Sequence, residues 1–174
     1  MPVPVTVEVS DVEINPLDMA IWDFAGVDGL QTAIALFSAA VSQLAPFQSV
    51  TTRFNQQPCS VLRLCENNFR VVLSDDTGFS QAVASLESKV WVSPSPTANL
   101  RLPATRGIER LAQIATTKPV YRLDPFPCDR AVPARIDGAA IVAWHLPWQG
   151  QPRLLIQAAA ADLRTVQAAF TGTA

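Results

Sequence analysis

His145 is the one histidine of the chain and lies in the run AWHLPW (143–148). An imidazole changes its charge near neutral pH, so it could serve as a general acid or base or as a metal ligand. Either role needs a nucleophile, a carboxyl group or further ligands nearby, and no sequence motif supplies them. We therefore expect His145 to be packed inside the protein or to lie in an interface.

Asp75 and Asp76 are adjacent and could form half of a site for a hard cation, which binds several converging oxygen atoms. The pair directly precedes a segment with a helical pattern, where aspartate caps a helix and interacts favourably with its dipole. We interpret both as turn and cap residues. We also predict that Asp76 or Thr77 opens the helix.

The three cysteines, Cys59, Cys65 and Cys128, have no C-x-x-C spacing. An odd number without this spacing is not typical of a disulfide framework or a zinc site. A reactive thiolate needs a nearby cation or a helix N-terminus, and the sequence shows neither. We predict that all three are small buried hydrophobic residues of a protein in a reducing compartment.

The stretch LRLPATRGIERLAQIA (100–115) changes from a strand pattern to a helix pattern, an arrangement that holds a ligand in many folds. Gly107 stands alone there, so the glycine-rich loop that cradles phosphate groups is missing. Arg101, Arg106 and Arg110 could bind a carboxylate, but arginines on a surface are mostly solvated. We interpret the stretch as scaffold and docking surface.

Trp144 and Trp148 flank His145 close to a predicted hairpin tip. Two interpretations stay open: burial in the core, or a hot spot that faces a partner, because tryptophan is enriched in interfaces. None of these residues completes a catalytic, cofactor-binding or metal-binding motif. We therefore expect no catalytic, cofactor or metal residue on this chain.

The composition indicates a large buried or covered apolar surface. Of 174 residues, 49% are hydrophobic and 16% are charged, whereas an ordinary domain is about a quarter charged. The net charge of −2 comes without a basic block, so no nucleic acid is expected as a partner. The most apolar window (29–47) is interrupted by Gln, Thr and Ser, and MPVPVTVEV lacks the pattern of a signal peptide. We expect a cytoplasmic protein without a membrane segment.

The elements of the first half follow from hydrophobic spacing. Valines alternate over Val3–Val9 and predict an extended arm or edge strand, and a strand is predicted over Met19–Gly26. Asp28 is predicted to cap a helix that Pro46 ends, with one apolar stripe formed by Leu30, Ile34, Phe37, Val41 and Leu44. A polar loop (48–58), two strands (60–65 and 69–74), a helix (75–88) and a strand (89–93) are predicted to follow.

The second half repeats this order. A strand is predicted over Asn99–Leu102, and then a helix capped by Thr105 whose buried face is Ile108, Leu111, Ala112 and Ala115. After an irregular run (118–130), Asp137-Gly138 predicts a hairpin, and Gln149-Gly150 predicts a second turn. The last helix is predicted from about Ala160 to Phe170.

Each half therefore has the order β-α-β-β followed by a further helix, which is the order of a split β-α-β unit. We predict an α+β fold of two pseudo-repeated, ferredoxin-like lobes, with antiparallel or mixed sheets backed by helices. The whole chain, 1–174, is predicted to form a single domain, with lobe one at about 1–95 and lobe two at about 96–174.

Four segments resemble a known family: NPLDMAIWDFAG (15–26), VLRLCENNFRVVLSDD (61–76), the long run 90–146, and PRLLIQAAAADLRTVQAAF (152–170). In order and spacing they are similar to the gamma subunit of heterotetrameric sarcosine oxidase, within the folate-binding superfamily typified by the glycine-cleavage T-protein. Leu123, Asp124 and Phe126 match the family's segment before its second hairpin. The family's Gly-Pro turn is replaced by residues 66–69, and Asp129 stands where the family has a glycine.

The resemblance implies a role in an assembly. The family complex demethylates sarcosine oxidatively to glycine, reduces oxygen to hydrogen peroxide and passes the one-carbon unit to tetrahydrofolate. The resemblance places FAD, FMN, NAD, zinc and tetrahydrofolate on the other subunits. It makes this chain a non-catalytic, cytoplasmic gamma-type subunit, docked on the large alpha-type flavoprotein subunit of a heterotetramer.

Two other functions remain open at this point. A stand-alone folate-binding or aminomethyltransferase-like protein would need an acidic residue to hold the pterin, and Asp75, Asp76 and Asp124 are the candidates. A small assembly or regulatory factor would use the N-terminal arm for strand addition to a partner.

Overall fold

The structure is a computed structural model that describes residues 6–120 and 122–172. Two short 3₁₀ helices, Ala39–Gln43 and Ala160–Asp162, accompany the main elements. The strands and α-helices of the described residues are β1 (Glu13–Ile14), β2 (Ala20–Ala25), α1 (Gly29–Leu36), β3 (Ser49–Phe54), β4 (Gln57–Cys65), β5 (Asn68–Leu73), α2 (Phe79–Ser85), β6 (Trp91–Pro94), β7 (Ala98–Pro103), α3 (Ala104–Ile114), β8 (Ala115–Thr116), β9 (Arg130–Ile136), β10 (Ala139–Trp148), β11 (Gln151–Ala158) and α4 (Leu163–Thr171).

The chain forms two compact units. The first unit contains residues 17–96 and 129–131, and the second contains, among the described residues, 6–16, 97–128 and 132–172. The units separate between Pro96 and Thr97, next to the joint expected between the lobes. Residues 6–16 fold with the second half of the chain, although they precede the first half in sequence. The single-domain assignment itself stays a prediction.

The first unit is a five-stranded antiparallel sheet in the order β3-β4-β5-β2-β6. With β3 set aside as an added edge strand, β2, α1, β4, β5, α2 and β6 have the order of a ferredoxin-like split β-α-β unit. Five phenylalanines fill the core of this unit: Phe24, Phe37, Phe54, Phe69 and Phe79. The rings of Phe24 and Phe69 stack at 5.4 Å between centroids, across the central strand pair.

Three expectations for residues 28–58 of the first unit are wrong. The segment predicted as a polar loop (48–58) contains β3, which can carry polar residues because it is an edge strand. The turn from β3 to β4 is formed by Asn55-Gln56, with positive φ angles of 49° and 65°. The helix predicted as far as Pro46 ends at Leu36. A separate 3₁₀ turn follows, because the hydroxyl oxygen of Ser38 accepts from the N–H of Ala40.

Asp28 does not cap α1, which is the third of these corrections. Its Oδ2 accepts from the backbone N–H of Lys89 at 2.7 Å. The N–H of Leu30, in the first turn of α1, donates instead to Oδ1 of Asn67 at 3.1 Å, so the turn between β4 and β5 caps the helix. Gly29 is required there because a Cβ atom would lie 2.1 Å from the carbonyl oxygen of Asn67.

The second unit is a six-stranded sheet in the order β1-β7-β11-β10-β9-β8, with α3 and α4 packed on it. β7, α3, β10, β11 and α4 repeat the order of the first unit, and β9 occupies the added position beside β10. The strand that would follow α4 is replaced by β1, which comes from the other end of the chain and pairs antiparallel with β7. The predicted α+β fold with antiparallel sheets backed by helices is confirmed.

Over Val3–Val9 an extended arm or an edge strand was expected, and the described part of this segment contains no strand. Residues 1–5 lie outside the described part of the chain, and Thr6–Ser10 form no strand. The N–H of Val9 donates to the carbonyl oxygen of Phe170 at 3.1 Å, and Val9 is buried in the core of the second unit. The edge strand is β1 because its two residues, rather than the valines, reach the free side of β7.

The start of α3 also differs from the prediction. α3 begins at Ala104, directly after Pro103, and Thr105 lies inside its first turn instead of capping it. Ile108 and Leu111 are buried as predicted, whereas Ala112 is exposed. Both predicted turns are confirmed: Asp137-Gly138 has φ angles of 48° and 83°, and Gln149-Gly150 has 51° and 77°. No helix in the described part of the chain is long and apolar enough to cross a membrane.

Candidate functional site

His145 lies on β10 and is held by Phe126 through a hydrogen bond and a ring contact. Its Nδ1 donates to the carbonyl oxygen of Phe126 at 2.8 Å, and the two rings stack at 5.9 Å. Because a carbonyl oxygen can only accept, Nδ1 carries a proton in this hydrogen bond. Nε2 is buried and has no hydrogen-bond partner among the described residues. The arrangement anchors the loop before β9 to the sheet.

Asp75 and Asp76 both serve the turn that leads into α2. Oδ1 of Asp75 accepts from the N–H of Thr77 at 2.9 Å, and hydrogen bonds from the Thr77 side chain and backbone lower the pKa of this carboxyl. Oδ2 of Asp76 accepts from the indole N–H of Trp22 at 2.9 Å. The predicted helix start at Asp76 or Thr77 is wrong, because the residue before α2 is Gly78, with a φ of 79°.

The cysteines fall into two environments. Cys59 is buried in the core of the first unit, and burial raises the pKa of its thiol to about 12. Cys65 and Cys128 are exposed, so the prediction that all three are buried is wrong for these two. Cys65 is the last residue of β4, where the pairing with β5 is irregular, and Cys128 lies in the turn before β9. None of the three forms a disulfide.

The three arginines near Gly107 differ in their contacts. Arg101 is 8% exposed and binds Glu13 with two hydrogen bonds, of 2.6 and 2.9 Å, so its interpretation as a solvated side chain is wrong. Nε of Arg110 donates to the carbonyl oxygen of Ala169 at 2.8 Å and ties α3 to α4. Arg106 is exposed. Of the three, only Arg101 holds a carboxylate, and the carboxylate belongs to its own chain.

Close packing explains Gly107 and the two tryptophans near His145. A Cβ atom on Gly107 would lie 3.0 Å from Cδ2 of Leu154, so the glycine lets α3 approach β11 closely. Trp144 and Trp148 are 0% and 5% exposed, which decides between the two interpretations in favour of burial. The exposed tryptophan of the described residues is Trp91 at the start of β6, at 55%.

The segment 123–129, which carries part of the family resemblance, is anchored by its apolar residues. Leu123 and Phe126 are 5% and 7% exposed and belong to the core of the second unit. Asp124 is exposed and lines a shallow pocket of about 340 Å³ with Arg122. Asp129, which stands where the family has a glycine, has a φ of 61°, in the left-handed region that glycine favours.

Two charged features of the structure were not predicted from the sequence. Asp23 on β2 and Arg70 on β5 stand opposite each other, are 7% and 8% exposed, and form hydrogen bonds of 2.7 and 2.9 Å. Side chains alternate between the two faces of a strand, so Asp23 lies on the face opposite to its neighbour Phe24, which faces the core. This alternation is the sequence signal that could have identified the Asp23–Arg70 pair. The second feature is a pocket of about 480 Å³ beside β1.

Among residues 6–120 and 122–172, no three His, Cys, Asp or Glu side chains are grouped closely enough to hold a metal ion. The side chains that could do chemistry belong to both units. Asp75 and Asp76 belong to the first unit, whereas Asp124 and His145 belong to the second.

No protein-family model matches the chain, and no curated protein matches it. Solved structures do match. Glycine cleavage system aminomethyltransferase T from Bartonella henselae superimposes with a TM-score of 0.71 and 13% identity, over 96% of this chain and 46% of its own. The chain has the T-protein-like fold. The resemblance inferred from the sequence is thus confirmed at the level of the fold, and the chain spans under half the length of that enzyme.

A second solved structure is heterotetrameric sarcosine oxidase from Corynebacterium sp. U-96 in complex with pyrrole 2-carboxylate. It matches with a TM-score of 0.66 and 15% identity, over 96% of this chain and 87% of the matched chain. This match extends over nearly the full length of both chains. At such identities both comparisons establish the fold alone.

Proposed function

We propose that this chain is a non-catalytic, gamma-type subunit of a heteromeric sarcosine oxidase-like complex in the cytoplasm. In this proposal the chain is a structural subunit docked on a large alpha-type flavoprotein subunit of a heterotetramer. FAD, FMN, NAD, zinc and tetrahydrofolate are held by the other subunits, which oxidise sarcosine to glycine and transfer the one-carbon unit.

One observation carries the proposal, namely the extent of the two structural matches. The chain covers 87% of a chain in a heterotetrameric sarcosine oxidase but 46% of the aminomethyltransferase. The match over most of a chain of a heterotetrameric sarcosine oxidase supports a relationship to a subunit of such a complex.

The engagement of the polar side chains supports the same conclusion. Asp75 and Asp76 are bonded to Thr77 and Trp22, and Arg101 is bonded to Glu13. Asp75 and Asp76 therefore already have partners within the chain, and a pterin would share their carboxylates with these partners.

The distribution of apolar side chains is a further support. Within the described residues, Val27 is 79% exposed and Trp91 is 55% exposed, both on the first unit. Exposed aromatic and aliphatic side chains are typical anchors of a protein interface. In the proposal such residues meet the partner subunit.

Co-purification tests the proposal. We would co-express the affinity-tagged full chain with the large flavoprotein subunit of a sarcosine oxidase-type complex from the same organism. The purified material is analysed by light scattering and by its flavin absorbance, and the tag on an unrelated carrier protein is the control. We expect a stable complex of defined stoichiometry that contains flavin. A chain that elutes alone as a monomer under these conditions contradicts the proposal.

A second candidate function is folate binding by the chain alone. The higher TM-score, 0.71, is the one with the aminomethyltransferase, and Asp124 lies beside a pocket of the second unit. Calorimetry of the purified chain with tetrahydrofolate tests this function. Binding that is lost in Asp124→Asn but kept in Asp137→Asn, a change in the exposed β9–β10 turn, would favour it. The absence of heat at millimolar tetrahydrofolate would exclude it.

A further inference from the structure

Residues 6–14 form a strap that precedes the first unit in sequence but packs on the second unit. The N–H of Val9 donates to the carbonyl oxygen of Phe170 at 3.1 Å, and the Val9 side chain is buried in the core. Glu13 binds Arg101 through two hydrogen bonds, of 2.6 and 2.9 Å. These partners all belong to the second unit, so the strap completes a sheet that is otherwise built from the far half of the chain.

Residues 15–19 form the hinge between the strap and β2. Asn15 has a φ of 42°, in the left-handed region, although Pro16 favours an extended conformation for the residue before it. The chain then turns at Leu17-Asp18, and Leu17 is fully exposed. A short hinge under strain favours the exchange of the segment that it connects, because opening the hinge relieves the strain.

The hydrogen bonds of Asn15 show how the hinge can open without losing contacts. Its backbone N–H donates to the carbonyl oxygen of Asn99 at 2.8 Å, which continues the pairing of Ile14 with Leu100. The N–H of Asn99 donates to Oδ1 of Asn15, also at 2.8 Å, where the backbone carbonyl would accept in a regular antiparallel pair. An extended Asn15 would therefore keep two hydrogen bonds to Asn99, lose its positive φ and lengthen β1 along β7.

We propose that two copies of this chain form a dimer by exchanging their straps, with the hinge open at residues 15–19. Because the copies are identical, each strap finds the same partners on the other copy, and only the hinge changes its conformation. Within one chain the strap has a high effective concentration, so the dimer forms at high protein concentration. The proposal does not rest on the proposed function.

Light scattering of the full chain over a range of concentrations tests the proposal with two matched variants. Asn15→Val removes the Oδ1 acceptor and disfavours a positive φ, so it destabilises the closed hinge and spares the open one. It should raise the association constant of the dimer about 100-fold, from a factor of about ten at each of two hinges. Asn55→Val makes the same change at a φ of 49° in the β3–β4 turn and should leave the association constant unchanged. No larger increase for Asn15→Val than for Asn55→Val would overturn the proposal.

Exchanged charges show whether the straps themselves are exchanged. In the Asn15→Val chain, Glu13→Arg and Arg101→Glu each place two like charges between the strap and β7. In a mixed dimer each strap meets the opposite charge on the other copy, so native mass spectrometry of an equimolar mixture should detect a heterodimer. The combination Glu13→Arg/Arg101→Glu restores the pair within one chain and should associate like the Asn15→Val chain. A mixture with no more dimer than either variant alone would overturn the proposal.

If Arg101→Glu does not fold, as judged by circular dichroism, NMR of the Asn15→Val dimer replaces the charge exchange. In a dimer of one isotope-labelled and one unlabelled chain, we expect nuclear Overhauser contacts between Val9 of one copy and Phe170 of the other. A dimer without these contacts would overturn the proposal. None of these results affects the subunit proposal, because that proposal is tested by co-purification.

Discussion

Removing one partner of the buried Asp23–Arg70 pair should destabilise the protein far more than removing both. Arg70 donates through Nε and Nη2 to the two carboxylate oxygens of Asp23, at 2.7 and 2.9 Å, and both side chains are 10% exposed. In Arg70→Met, Asp23 remains buried without its guanidinium. A broken buried pair of this kind costs about 3–5 kcal/mol, a large part of the free energy of unfolding of a typical domain.

The double variant Asp23→Leu/Arg70→Met separates the cost of an unpaired charge from the loss of contacts. It removes both charges and fills the space with apolar atoms, so we expect its free energy of unfolding within about 1 kcal/mol of the parent. The assay is urea unfolding followed by far-UV circular dichroism, with midpoints compared only where the slope with urea is unchanged. The interaction energy of the pair follows from the free energies of unfolding of the parent, the single variants Asp23→Leu and Arg70→Met, and the double variant.

The Glu13–Arg101 pair provides the matched control, because the Glu13 side chain is 54% exposed. Water screens this pair, and Glu13→Gln should cost no more than about 1 kcal/mol. The reasoning is refuted if Arg70→Met also costs less than about 1 kcal/mol. It is equally refuted if the double variant is as unstable as the sum of the two single variants.

Three further predictions concern thiol reactivity, helix capping and pH. In the native protein at pH 8, Ellman's reagent should modify the exposed Cys65 and Cys128 and leave Cys59 unmodified, since burial raises the pKa of Cys59 to about 12; rapid modification of Cys59 in the double variant Cys65→Ser/Cys128→Ser would contradict this. Asn67→Ala removes the acceptor of the Leu30 N–H and should lower the free energy of unfolding by about 1 kcal/mol, measured by urea unfolding. An unchanged urea midpoint would show that this hydrogen bond does not stabilise the protein. The lowered pKa of Asp75 means that its stabilising effect is present above pH 3.8 and is lost as the pH falls through its folded value. Asp75→Asn should therefore lower the melting temperature at pH 7 and have a smaller effect at pH 2.5, and an equal effect at both pH values would contradict the assignment.

The fold was predictable because most of its elements leave strong local signals. The strand at 20–25 and the hairpin turn at Asp137-Gly138 follow from hydrophobic runs and from residues that tolerate a positive φ. The exposed edge strand β3 was missed because Ser49, Thr51 and Arg53 give it the composition of a loop. An edge strand is stabilised by its pairing with a neighbour, which the sequence does not display.

The contacts that shape the candidate sites were less predictable because they join distant parts of the chain. Asn67 caps a helix that starts 38 residues earlier, at Gly29. Likewise, β1 completes a sheet whose other strands begin at Ala98. No local pattern encodes such pairings, so the pocket between β1 and Arg153 became visible only once the strand register was known. The same limit explains why Arg101 was interpreted as solvated.

We propose that this chain supports a sarcosine-oxidising assembly without carrying out chemistry itself. The most direct test is sarcosine-dependent formation of hydrogen peroxide, measured for the purified chain, for the other subunits together, and for the complete complex. We expect no peroxide from the chain alone and full activity only from a complete complex that contains it. Turnover by the chain alone, or a fully active complex from which the chain is missing, would show that this role is wrong.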